Sequence, residues 1–191
     1  MQLSSIVLLS VLAAAALYAI VIYNNLVRLK HNIAKAWANI DVLLKQRHDE
    51  LPKLVEVCRQ YKQFEESTLT RVIEARARVS DARAQHDVPA LGAAEGLLRS
   101  GLGQIFAVAE AYPELKANEH FMQLQTRITS LENGIADRRE WYNESVNVHN
   151  VRIEQFPDLL VARVLGFTGQ PLLEFATAEK ADVDLKALFA S

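Results

Sequence analysis

Five histidines, one cysteine and a few adjacent carboxylates are the residues of this 191-residue chain whose types suit chemistry. His31, His48, His86, His120 and His149 are scattered without metal-ligand spacing, and no HExxH, CxxC or GxSxG stretch occurs. Glu65-Glu66 and Asp49-Glu50 are neighbours in sequence, so on a helix their side chains point about 100° apart and suit solvated faces better than an acid and base pair. Cys58 and His149 both fall on apolar stripes, which reads as a small core residue and a hydrogen-bonded core imidazole. A lone cysteine cannot close an intrachain disulfide and fits a reducing compartment. Gly92, Gly96, Gly101 and Gly103 resemble a phosphate loop only in composition, because no strand precedes them and no Lys-Ser or Lys-Thr follows. Asp41 lies one turn after Trp37 and one turn before Leu44 and Lys45. Its plain reading is a surface pair with Lys45 worth about 0.3–0.5 kcal/mol; its sharper one is a partly buried carboxylate facing an arginine such as Arg139. No catalytic, cofactor-binding or metal-binding residue is therefore assigned, and the chain is expected not to be an enzyme. A site assembled from scattered residues is the remaining enzymatic reading.

What positions these residues begins with a greasy segment. Met1 to Val27 contains no charged side chain, and Leu3–Tyr23 reads LSSIVLLSVLAAAALYAIVIY. As a helix those residues would reach roughly 31 Å, the thickness of a bilayer's hydrocarbon core. Its Leu, Ile and Val residues favour insertion by about 3–6 kcal/mol. Leu3, Ile6, Leu9, Leu12, Leu17, Ile20 and Tyr23 are the anchor residues expected to meet lipid. A cleavable secretory signal would carry a cationic start and a shorter core, so an uncleaved anchor is expected. Arg28, Lys30 and Lys35 follow the span, which by the positive-inside rule places the rest of the chain in the cytoplasm and the amino terminus outside. Ser10 with Ala14, or Ala15 with Ala19, has the small-xxx-small spacing by which two spans can pair, so a homo-oligomer is one expected partner state.

Beyond the anchor, about 165 residues suffice for one domain with a real core. A net charge of −2 with no block of like charge gives no field for nucleic acid. Leu26, Leu29, Ile33, Trp37, Ile40, Leu44, Arg47, Leu51, Leu54, Cys58 and Tyr61 recur at steps of three and four, one face of a long helix. Pro52 predicts a kink there or a restart capped by Asp49. The pattern resumes through Leu69, Val72 and Val79 and ends at Gln85 to Pro89. Ala90 to Tyr112 forms the next apolar face, and its four glycines weaken a helix by about 3–4 kcal/mol relative to alanine, which predicts close packing around them. Tyr112 to Asn118 breaks the pattern, with Asn118 as the cap of a following helix of about 36 residues that ends before Pro157. Leu160 to Phe167 is a short apolar piece, and the chain after it reads as a loosely ordered tail with a turn of helix near Leu185. The expected class is all-α: an N-terminal transmembrane helix in 1–25, an elongated antiparallel bundle of three to four long helices in 26–167, and a C-terminal tail in 168–191.

Several stretches resemble the LemA family: Tyr23 to Val27, Ala36 to Lys45, Arg47 to Glu56, Glu74 to Arg76, and above all Ala107 to Glu119 with Phe121 and Leu124. Tyr142-Asn143, Phe156-Pro157 and Gly166-Phe167 extend the likeness. His48, where such proteins often carry Tyr, and Glu50, where Leu is usual, depart from it. The resemblance implies a single-pass protein of the bacterial inner membrane with a cytoplasmic helical bundle, and it brings no catalytic or cofactor residues. Associations of such proteins with membrane organisation, magnetosome formation included, and with membrane metalloproteases imply a scaffold or adaptor. The expected function is thus a membrane-anchored scaffold that binds protein partners or its own copies, with no cofactor, nucleic acid or small-molecule substrate. The alternative is a regulatory or substrate-presenting subunit of a membrane metalloprotease. Tyr112, Pro113, Lys116 and Asn118, at the break between helices, are the candidate interaction surface.

Overall fold

The computed structural model describes residues 2–61 and 64–175. All regular structure among the described residues is helical: α1 (Gln2–Arg59), α2 (Glu66–Ala84), α3 (Val88–Ala109), α4 (Pro113–Lys116), α5 (Glu119–Glu154) and α6 (Asp158–Val164). The expected helix near Leu185 lies outside the described residues.

Helix α1 carries the first surprise, because it runs unbroken through Pro52. The expected restart does not occur, and Asp49 lies inside the helix instead of capping a new one. Proline removes one backbone bond and crowds the preceding turn. Leu51, Leu54, Val55 and Cys58 are all buried around it, and that packing holds the helix through the defect. The pattern that resumes through Leu69, Val72 and Val79 belongs to α2, where all three are buried.

Local chemistry explains the other boundaries. Asp87 caps α3, its Oδ1 accepting from the Ala90 amide at 2.9 Å, with Pro89 in the first turn where its missing N–H costs nothing. Asn118 Oδ1 accepts from the Phe121 amide at 3.1 Å, as expected of a cap, and α5 runs 36 residues from Glu119. Gly166 takes φ +71°, the left-handed conformation that ends α6, while the Phe167 amide donates back to Ala162 at 2.9 Å.

The chain divides into two compact units. The first consists of Met1–Val42 and Ile135–Leu172. Here α1 and α5 are antiparallel: Trp37 meets Tyr142 edge-on, ring centroids 5.7 Å apart, while Ile22 and Leu26 share a core with Ile153 and Ala162. The segment after α6, expected to begin a loose tail, is held along α5 through residue 171. His149 Nε2 donates to the Thr168 carbonyl at 3.1 Å, Tyr142 Oη to the Pro171 carbonyl at 3.2 Å, and Asn150 makes two 2.9 Å bonds with the Gln170 backbone. His149 is thereby the hydrogen-bonded core residue that its stripe position implied.

The second unit consists of Leu43–Gly134 and Leu173–Ser191, of which residues 62–63 and 176–191 are outside the description. Helices α2 and α3 form a hairpin, and two of the four glycines mark close approaches. A Cβ on Gly101 would stand 2.9 Å from Val72 Cγ2, and one on Gly92 would stand 2.0 Å from the Glu174 carbonyl oxygen. Gly103, by contrast, has nothing within 4 Å of that position. Packing thus accounts for Gly92 and Gly101 but not for Gly103.

Candidate functional site

Two places qualify by their surfaces: the first turns of α1, and the surroundings of the Tyr112–Asn118 connection. Along α1, Leu3, Ile6, Leu9, Leu12, Leu17, Ile20 and Tyr23 are all exposed, and Leu3 reaches 78%. A run of large apolar side chains left outside every core costs about 1.5–3 kcal/mol each in water, a surface suited to lipid. By length and composition this helix is able to cross a bilayer. Burial begins at Ile22 and Leu26, one residue before and three after Tyr23.

At the connection, the structure separates the four predicted interaction residues into two pairs. Tyr112 is half-buried with its ring 5.9 Å from that of Phe64. Asn118 caps α5 and also donates through Nδ2 to Tyr61 Oη at 3.2 Å. These two hold the connection against the end of α1, so their first role is architectural. Pro113 and Lys116 remain exposed, and Lys116 pairs with Glu110 on the surface. A surface pair of that kind contributes little to stability.

The charged cluster that the sequence reading passed over lies inside the second unit. Arg47, on α1, is 1% exposed and clasps Glu95 of α3 and Glu132 of α5, the latter at 2.5 Å. Burial alone would strip its charge, but Glu95 and then Glu132 outweigh that and hold the guanidinium charged. Burial pushes the Glu95 carboxyl above the ordinary carboxylate range, with Arg47 pulling the other way. The signal was present in the sequence. Arg47 interrupts the Leu44–Leu51 stripe, Glu95 sits between Leu91 and Leu98, and Glu132 follows Ile128 by one turn. Each is a charge at an apolar register position, and buried charges must be paired. Asp41, singled out instead, is half-buried in the first unit.

Chemically this cluster is a mutual pairing: Arg47 and Glu95 are buried, and Arg47 engages both carboxylates. A groove of about 410 Å³ lies beside it in sequence, lined by Glu50, Lys53, Val57, His120, Leu124 and Arg127 among others. Its carboxylate, Glu50, accepts from Lys53 at 2.9 Å and from Arg127 at 2.8 Å. The Lys53 hydrogen bond, aided by Arg127, holds the Glu50 carboxyl below the usual range, which makes it a weak base. His48 is engaged by Arg76, whose Nη2 lies 2.6 Å from His48 Nε2 and whose Nε donates to the His48 carbonyl at 3.1 Å. Burial and then the Arg76 charge lower its pKa and keep the imidazole neutral. Cys58 is buried, and its thiol is pushed up to about 12 by that burial, so it is not a nucleophile near neutral pH. Among the described residues no three or more His, Cys, Asp or Glu side chains converge as a metal site would require.

Comparison with known proteins places these features in a family. The model of the LemA family matches residues 36–186. Protein LemA of Metamycoplasma hominis is 28% identical over 166 residues, covering 86% of this chain and 74% of that protein. Magnetosome protein MamQ 1 of Paramagnetospirillum magneticum is 23% identical over 188 residues, covering 85% of this chain and 69% of that protein. Magnetosome protein MamQ of Magnetospirillum gryphiswaldense is 32% identical over 78 residues, 41% of this chain and 29% of that protein.

Proposed function

The chain belongs to the LemA family, and on that premise we propose that it is a membrane-anchored helical scaffold. Residues 3–23 span the bacterial inner membrane once. Arg28, Lys30 and Lys35 keep the helical body in the cytoplasm, and that body binds a protein partner or further copies of the chain without catalysing a reaction. The observation that carries this reading is the continuity of α1. A single helix passes from a fully lipid-compatible surface into a stripe of buried residues that begins at Ile22, so anchor and body are joined without a linker. The pairing of Arg47 with Glu95 and Glu132, and of Glu50 with Lys53 and Arg127, supports a binding role over a chemical one. Similarity to proteins named as magnetosome proteins fits a scaffold as well.

The test is photo-crosslinking of the full chain in its native membranes, with the reactive residue placed at Lys53, at Pro113 or at Lys116. A discrete adduct, either with one protein or with a second copy, is expected from at least one position. Absence of adducts from all three, with the chain still membrane-bound, would overturn the scaffold reading.

A further inference from the structure

Within the first unit, a patch of apolar surface remains that the anchor itself does not explain. Phe156 is 79% exposed, Leu160 57%, Val164 83% and Leu165 52%, four large side chains in a stretch of ten residues. Leu160 and Val164 are one turn apart on α6, on the side opposite Asp158 and Ala162, which are buried. A surface so apolar on so short a segment marks a contact.

The level at which this patch sits follows from the helices. The midpoint of Leu3–Tyr23 is Ala13, and half of a hydrocarbon core, about 15 Å, corresponds to about ten residues of helix. The lipid boundary therefore falls close to Tyr23. At that level, Ile22 and Leu26 pack on Ile153 and Ala162, and the Tyr23 and Phe167 rings meet at 6.2 Å. Because α5 runs antiparallel to α1, the chain beyond Ile153 heads toward the lipid, and Phe156 stands about one further turn along. Helix α6 then turns back through the same layer. Arg28, Lys30 and Arg163 are exposed around it and suit phosphate head groups, and Tyr23 occupies a depth that tyrosine favours.

We propose that residues 156–165 form an interfacial foot: Phe156, Leu160, Val164 and Leu165 enter the outer acyl layer of the leaflet in which the span ends, and Arg163 lies among its head groups. The occupant of the patch is therefore the lipid bilayer itself. The proposal rests on Leu3–Tyr23 being a membrane span, and it adds a second attachment that fixes how the first unit is held at the surface.

The test uses the full chain in phosphatidylcholine and phosphatidylglycerol vesicles, with an environment-sensitive fluorophore on Val164→Cys or Leu160→Cys and, as the reference, on Glu140→Cys. Glu140 is exposed and lies about 20 Å back along α5 from Ile153. The buried Cys58 stays unlabelled. Both foot positions should emit at shorter wavelength and lose about twofold of their intensity to a quencher attached high on the lipid chains, while the reference responds to aqueous iodide. Labels at 160 and 164 that iodide quenches as it does the reference, in chains that resist alkaline carbonate, would overturn the foot and leave the anchor standing. A blue-shifted signal insensitive to the lipid quencher would assign the patch to a second copy or another protein and equally overturn it. Release of the chain by carbonate would overturn anchor and foot together.

Discussion

Replacing Arg47 by methionine should destabilise the protein by an amount that depends on pH in a calculable way. The substitution leaves Glu95, 2% exposed, with no counter-charge. At about 4 Å and an effective dielectric near 20, the lost attraction for Glu95 is about 4 kcal/mol, with a smaller share from Glu132, which is 17% exposed and partly screened. A cheaper route exists. Glu95 can take up a proton, at a cost of about 1.36 kcal/mol for each pH unit above its ordinary 4.5, roughly 3.4 kcal/mol at pH 7 and roughly 0.7 at pH 5. The route of lower cost sets the loss. The sign follows: without Arg47 nothing opposes the burial that raises the Glu95 pKa, so above pH 4.5 the folded variant holds more protons than its unfolded chain and loses stability as pH rises. Urea unfolding of the full chain in detergent micelles, followed by far-UV circular dichroism, should show the Arg47→Met penalty grow by about 2–3 kcal/mol between pH 5 and pH 7. The pair Arg47→Met with Glu95→Leu should recover most of it, since an apolar replacement of a buried ion pair is often neutral. A single variant within about 1 kcal/mol of the parent at pH 7, or a penalty equal at both pH values, would refute the paired cluster.

Other consequences are independent of that cluster. His48, lowered in pKa by burial and by Arg76, contributes stability that is complete above pH 6.5 and declines as pH falls below it; His48→Gln should flatten the melting temperature across that window. Gly103→Ala, with open space for its Cβ, should stabilise by about 0.5–1 kcal/mol in the same unfolding experiment, because only helix propensity changes. Gly92→Ala should destabilise by about 1–3 kcal/mol, since its Cβ would collide with the Glu174 carbonyl. Cys58 should resist maleimide at pH 8 in the folded chain and react at once in urea, a difference that mass spectrometry reads directly.

How much of this was written in the sequence differs by feature. The apolar first half of α1 was legible because Leu3–Tyr23 carries eighteen apolar residues and no charge, and α5 because its apolar stripe runs from Phe121 to Ile153. Of the two outcomes expected at Pro52, the restart does not occur, since a local rule about one lost backbone bond does not see the burial of Leu51, Leu54 and Cys58. The Arg47 cluster was missed for a related reason. Each of its three members looked like a single interruption in a stripe, and only three-dimensional packing reveals that the interruptions meet. The clasp on residues 168–171 depends on hydrogen bonds from Asn150, His149 and Tyr142 to backbone groups, which leave no periodic trace in either partner. At the Tyr112–Asn118 connection the residue types were recognised, but the contacts of Tyr112 with Phe64 and of Asn118 with Tyr61 and the Phe121 amide leave no periodic trace.

Flotation of the full chain with vesicles after an alkaline carbonate wash tests the central claim most directly. The chain should rise with the lipid and leave nothing in the carbonate supernatant, as the proposed span of residues 3–23 requires. Recovery of the folded chain in the supernatant would contradict the account, since it would mean that the exposed face of α1 is covered by something other than a bilayer.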